Sequence, residues 1–491
     1  MFKRVVTNFH SGVIRFALIT FSLTLLFFLS DAKAQSGKLR AGASSSNITP
    51  PLGMRIVGNW NSPPASYVHD QLNAKSLVLD DGDKKIIIVL VDNVSVHREV
   101  FDAAKAIIQN RTGIPASHML MAATHTHSGV SARGEGTRSG GWHYDEPLDD
   151  YQKFLAERIA DGIQTAIGNL EPAKIAWGKV AVPEHVFNRR WMMKNPVMGP
   201  LGMMDKVKMN PGVGNPDLVE PAGPIDPDVS FIVVESVEGR PISVLGNYSL
   251  HYVGGVPEGH ISSDYFAIFG DRMQELLKAD RQDPPFVGIM SNGTSANINN
   301  INFAGPRENN EPYKKMRFVA NDVARKVFDN YEDLEFKDKI TLGSVQTELN
   351  LTIRRPSPEL KANLEKIRNR PEASEPLFHP LEKTYLGRID QLEAEWPDEI
   401  AIVLQVLKIG DLGIAAVPFE TFSETGLEIK DKSPFAQTFT IELANGGYGY
   451  LPTPEQHELG GYETWLGTNR VEKKATQKIV NALMKLFDTL E

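Results

Sequence analysis

"SLVLDDGDKKIIIVLVDNVSVHREVFDAAKAIIQNRTGIPASHMLMAATHTHSG", Ser76 to Gly129, changes hydrophobic period twice along its length. Its first part alternates and then runs apolar on either side of Asp81–Gly82, the pattern of a β-hairpin whose second strand is largely buried. "REVFDAAKAIIQNRTGIP" follows with apolar residues at helical spacing and stops at Gly113 and Pro115. "HMLMAATHTHSG" then returns to strand character. Strand, helix, strand in that order predicts a layered α/β fold.

The chain on both sides agrees. "DVSFIVVES" with "PISVLGNYSLH", and "IAIVLQVLKIGDLGIAAVP" turning at Gly410–Asp411, are two more hairpins. Tyr151, Leu155, Ile159, Ile163 and Ile167 recur every four residues as on an amphipathic helix. Further helices are expected around Tyr265–Leu277, around Tyr313–Tyr331, and at the C-terminus, where Val471, Ala475, Ile479, Ala482, Leu483 and Leu486 form a core-facing stripe. No internal repeat stands out in the sequence. Residues 356–395, charged and broken by prolines, are expected to form a helical insertion on the surface. Residues 192–228, crowded with Met, Gly and Pro, read as a long loop, either a lid over a substrate or a mobile surface segment.

The N-terminus has the three parts of a secretory signal: a basic region with Lys3, Arg4 and Arg15, the apolar run Phe16–Ser30, and Ala32-Lys33-Ala34 as a cleavage site. The apolar run is shorter than the ~20 residues of a spanning helix, so cleavage is expected and no membrane span thereafter. Residues 35–491 would then be one domain, secreted or periplasmic, with no composition break dividing it. The charge, −9 for the whole chain, becomes more negative once residues 1–34 are removed. Such a protein is a poor nucleic-acid ligand, because phosphate binding rests on clustered Lys and Arg. With no cysteine, disulfides and thiolate metal sites are excluded. Any metal must be held by His, carboxylate or Tyr oxygen.

Chemistry-bearing residues gather at the ends of expected strands. If 119–127 is a strand, His125 and His127 point to one face. Short H-x-H spacing is a weak signal, because one structural and one exposed histidine would give the same pattern. Zinc takes three or four protein ligands, with one position open when it is catalytic. His251 in "NYSLHYVGG", Glu420 in "AAVPFET", and Tyr448 and Tyr450 in "LANGGYGYLPT" each end a strand in the same way. "MSNGTSANINNINF" packs Ser291, Thr294 and Ser295 among five asparagines. It either displays a hydroxyl and amides to a site or forms a turn held by Asx and Ser/Thr hydrogen bonds.

Together these segments resemble the catalytic domain of the neutral, non-lysosomal ceramidases, a family of zinc-dependent amidases. The resemblance rests on "AGASSSNITPPLG", "HDQLNAKSLVLDDG", "ATHTHSG", "FNRR", "NYSLHYV", "ISSD", "NGTSANINN", "VPFET" and "GYGYLPT" with "GGYET", which run in order over residues 41 to 486. It implies mixed β-sheets flanked by helices, and Zn2+ held by His125, His251, Glu420 and Tyr450. It implies also that His127 faces the substrate, that Ser295 falls on the family's serine, that Tyr462 is a second active-site tyrosine, and that Arg189 or Arg190 lies near the reacting carbonyl. Spacing to Tyr462 favours Tyr450 over Tyr448 as the ligand. The nucleophile on this reading is either metal-activated water or Ser295.

Two departures bear on substrate. Family members acting on ceramide carry a C-terminal immunoglobulin-like domain, and this sequence stops at Glu491 after the expected terminal helix. "NGTSAN" also lacks the family's Asp and Pro around the serine. The expected activity is hydrolysis of an amide in a ceramide-like lipid or other small N-acyl compound. Ester, lactone or glycosidic cleavage on the same scaffold is the alternative, and non-catalytic binding a third. A glycosidase would need paired carboxylates, and the motifs offer only Glu420.

Overall fold

The computed structural model describes residues 37–491, except 59–60, 133–141, 143, 145 and 372–373. The expected signal segment, residues 1–34, lies outside the described residues. Among the described residues, no helix is long and apolar enough to cross a membrane.

Eight strands form the larger sheet: β1 (Arg40–Asn47), β2 (Asn73–Asp80), β3 (Lys85–Val91), β4 (Met119–Ala123), β5 (Glu171–Ala181), β6 (Asp228–Ser236), β7 (Pro241–Tyr248) and β8 (Val287–Asn292). Their order is β8-β7-β6-β5-β1-β2-β3-β4, antiparallel except for the parallel edge pairs β3–β4 and β7–β8. A smaller sheet orders β9 (Leu342–Thr352), β10 (Glu399–Ile409), β11 (Leu412–Val417) and β12 (Gln437–Glu442), with β11–β12 parallel.

The two sheets pack face to face. Ile86, Ile88 and Leu90 of β3, with Ile232 and Val234 of β6, meet Leu407, Ile409, Ile414 and Phe439 of the smaller sheet. Alternate residues of the same strands face the other way. Ile87 and Val89 pack under α1 (Arg98–Thr112) and α2 (Asp150–Gly168), while Phe231 and Val233 pack under α3 (Asp264–Leu276) and α4 (Lys314–Asp329). On the far side of the smaller sheet, α5 (Pro358–Arg368), α6 (Glu382–Glu395), α7 (Ser423–Lys432) and α8 (Ala475–Asp488) bury Leu364, Ile389, Ile429 and Leu483 among others. The result is helices, sheet, sheet, helices. "KIIIVLV" runs apolar without alternation because both its faces are covered.

One unit occurs three times: an antiparallel hairpin, a helix, then a strand parallel to the hairpin's second strand. It is built as β2-β3-α1-β4, β6-β7-α3-β8 and β10-β11-α7-β12. The recurrence is one of topology; sequence comparison shows no repeat because the buried strands need only apolar character. Residues 192–228 are not one long loop. Arg190–Met198, Met204–Met209 and Leu218–Pro221 pair as a three-stranded antiparallel sheet. Its turns use the Gly and Pro residues that suggest a loop in the sequence.

Candidate metal centre

Strand β4 ends at Ala123, earlier than the hydrophobic pattern suggests, and His125 takes a left-handed backbone with φ of 69°. The histidine pair is therefore brought together by a turn, with no help from strand alternation. His125 Nε2 lies 3.1 Å from His127 Nε2 and 3.1 Å from His251 Nε2. His251 comes from the loop after β7. These three imidazoles are buried and form a group able to hold a metal ion. Glu420, in the loop after β11, puts Oε2 3.4 Å from His125 Nε2 and 3.9 Å from His251 Nε2.

The donor chemistry fits a cation. His125 Nδ1 is 2.6 Å from the Val94 carbonyl and His251 Nδ1 is 3.2 Å from the Ser295 carbonyl. The Gly58 backbone also lies against His127 and works against the lowering of its pKa. Imidazoles whose Nδ1–H is engaged by a carbonyl carry a bare lone pair on Nε2. Lone pairs of this kind facing one another repel unless something positive stands among them. Glu420 Oε2 is buried there and has no hydrogen-bond partner. An unpartnered carboxylate oxygen beside converging Nε2 atoms is what a zinc ligand set provides.

Burial and neighbouring charges act unequally on these groups. Burial works against a charged His125, but Glu420 and the Val94 carbonyl outweigh it and hold its pKa above the usual value. Burial pushes His127 and His251 well below the ordinary range, with His125 and Arg189 adding to the effect. Burial raises Glu420, yet His125, Tyr450 and Arg189 together bring it below its ordinary value. Tyr450 is raised well above its ordinary value by burial and then by Glu420, partly countered by Arg189. Without metal, then, Tyr450 keeps its proton.

Tyr450 is placed by a two-residue parallel pairing, Glu420–Thr421 with Tyr450–Leu451, which sets Glu420 opposite Tyr450. Tyr448 points elsewhere, stacking on Tyr144 at 5.0 Å. Arg189 Nη2 donates to Tyr450 Oη at 3.1 Å. Arg190, by contrast, is fully buried and donates to Gln456 Oε1, to the Gly460 carbonyl and to Glu463. Of the two arginines, Arg189 is the one at the site. Glu463 binds both, Oε1 to Arg189 Nε at 2.9 Å and Oε2 to Arg190 Nη1 at 2.6 Å. Tyr462 packs edge-on against the Tyr450 ring at 5.6 Å.

Ser295 is not among the converging atoms. Its Oγ lies on the Nδ1 side of His251, 3.4 Å away, and donates to Glu442 Oε1 at 2.7 Å. Of the two expected nucleophiles, Ser295 therefore faces away from the Nε2 side. The asparagines around it tie down backbone. Asn300 Nδ2 donates to the Tyr252 and Val253 carbonyls, Asn297 accepts from Ser423 N, and the Asn297 carbonyl accepts from Arg189 N. Of the two readings of this segment, the braced turn is the one built.

Four residues at the site escaped the sequence reading. Tyr252 stacks on His127 at 3.9 Å. Gly58 lies so close to His127 that a Cβ there would stand 2.9 Å from its Cα. Glu463 follows Tyr462 directly. Glu442 is fully buried, and burial pushes it up to about 8 against the bonds from Ser295 and Thr421. A lone acid closing the apolar run "AQTFTIE" was the available signal for Glu442, as for Glu420 after "GIAAVPF".

No family profile matches the sequence, and no curated protein does. Solved structures do. A neutral ceramidase from Pseudomonas aeruginosa superposes with a TM-score of 0.66 over 92% of this chain and 74% of its own, at 15% identity. A second structure, a ceramidase complexed with C2, gives 0.66 over 92% and 75%, also at 15% identity. The chain therefore shares the fold of the neutral ceramidases.

Proposed function

We propose that this protein is a zinc-dependent hydrolase that cleaves the amide bond of a ceramide-like lipid, exported after removal of residues 1–34. The observation that carries the reading is the convergence of three Nε2 atoms and an unpartnered Glu420 oxygen in a fold shared with ceramidases. His125, His251, Glu420 and Tyr450 would hold the metal. When bound, zinc supplies Lewis acidity and lowers the pKa of a water toward ~7.

The chain's own residues do the rest. His127, neutral because its pKa is depressed, accepts a proton at Nε2 and returns it to the leaving amine. Its stacking on Tyr252 and its Gly58 contact fix the ring for that exchange. Arg189, held by Glu463, presents fixed positive charge to an oxyanion, and Tyr462 adds a hydroxyl donor. As a metal ligand Tyr450 would bind as the phenolate, and the Arg189 donation to its oxygen would support that charge. Glu442 sits behind Ser295 and Glu463 is held by both arginines, so neither is presented as the second acid of a glycosidase.

The test is turnover of N-acyl sphingosine by the purified protein, with chelator and with zinc added back. Chelator-sensitive release of sphingosine is expected. Hydrolysis of N-acyl sugars in its place would retire the lipid substrate and keep the chemistry, and no chelator effect on any turnover would retire the metal.

A further inference from the structure

The carboxylate of Glu442 lies outside the cluster of converging atoms, yet it touches two of the segments that supply them. Its Oε2 accepts from Thr421 N at 2.7 Å, the residue next to Glu420. Its Oε1 accepts from Ser295 Oγ at 2.7 Å, and Ser295 in turn faces His251 Nδ1 with both its hydroxyl and its carbonyl oxygen. All of these atoms are buried. The direction of each hydrogen bond is therefore set by its protein partners.

That direction has a consequence for His251. A serine hydroxyl has one proton. Above about pH 8, where Glu442 is ionised, the carboxylate takes it, and Ser295 can offer Nδ1 of His251 only oxygen lone pairs, from Oγ and from its carbonyl. His251 must then carry its proton on Nδ1, leaving Nε2 bare on the side of His125 and Glu420. If the Ser295 proton turned toward Nδ1 instead, His251 would carry its proton on Nε2 and could not ligate a metal.

We propose that Glu442 is a positioning residue that fixes the Nε2-bare tautomer of His251 through the proton direction of Ser295, while also holding the Glu420 arm by its backbone. The inference rests on the zinc reading above. It also gives Ser295 a role that explains its place behind the histidine: a relay of orientation, with no contact to substrate.

Glu442→Gln tests this, because the amide keeps the shape and reverses one bond. Its oxygen still accepts from Thr421 N, and its NH2 donates to Ser295 Oγ, freeing the serine proton for His251. Zinc affinity, measured above pH 8, where Glu442 is ionised, by competition with a chelating dye, is expected to fall by ~10- to 100-fold in Glu442→Gln with its thermal melt retained. The double variant Glu442→Gln/Ser295→Ala removes the misdirected hydroxyl and leaves the Ser295-position carbonyl, so affinity is expected to recover most of the loss. Wild-type affinity in Glu442→Gln would overturn the proposal. So would a loss that the second substitution fails to rescue, since a purely structural defect has no reason to respond to it. Absence of zinc binding in the unsubstituted protein would instead overturn the zinc reading itself.

Discussion

Glu463 shows how a single residue holds the site's charge in place. It is fully buried between two arginines, of which Arg190 is itself fully buried. Removing one partner of a buried ion pair leaves an uncompensated charge and costs about 3–5 kcal/mol. Glu463→Ala is therefore expected to lower the unfolding free energy by about that amount in chemical denaturation, and to loosen Arg189 at the site. A loss under about 1 kcal/mol would mean that other acceptors satisfy Arg190. Gly58 acts by shape. Its φ of 110° disfavours any side chain, and a Cβ would strike His127. Gly58→Ala is expected to reduce kcat by about tenfold or more with zinc still bound, because the misplaced group is the proton carrier. Equal loss of zinc and activity would place His127 among the ligands.

Elements deliver these residues, and the strand ends are where sequence reasoning was both most and least informative. Three hairpins were legible because the alternating and continuous apolar runs follow from which faces are covered. That His251 and Glu420 close strands was legible for the same reason. What sequence could not supply was the geometry after the strand. His125 adopts a left-handed backbone, uncommon for any residue other than glycine, and tertiary contacts hold it there, His125 N donating to the Asn93 carbonyl. Likewise the strands within 192–228 are short and rich in Met and Pro, and only their pairing reveals them. The short helix Pro454–Leu459, capped by Thr453, carries a further consequence. Its His457 is buried, its Nε2 lacks a hydrogen-bond partner, and burial lowers its pKa from 6.5 to about 3. A depressed histidine pKa contributes stability that is fully present above 6.5 and is lost as pH falls toward 3, because the unfolded chain takes the proton first. Unfolding free energy is expected to drop by up to about 4 kcal/mol over that window from this group, and the drop to shrink in His457→Gln. An unchanged acid limb in that variant would assign the loss to other groups.

At the scale of the whole molecule, the site belongs to no single element. The converging side chains follow strands of three topologically equivalent units, on two sheets that share a core. Assembly of this kind makes metal binding a report on the packing of both sheets. It also explains why the converging side chains could be named from motifs while their supports could not. His125, His251, Glu420 and Tyr450 stand in distinctive segments, whereas Glu442 and Glu463 acquire meaning only once the sheets are packed. The overall negative charge and the absence of cysteine leave nitrogen and oxygen ligands as the only means of holding a cation. The most direct test of the account is the zinc content of the purified chain by elemental analysis, beside that of His251→Ala. One zinc per chain in the unsubstituted protein, lost in the variant with its fold retained, is the expected result. A wild-type protein free of zinc after growth and dialysis in zinc-containing buffer, or a variant that keeps full occupancy, would contradict it.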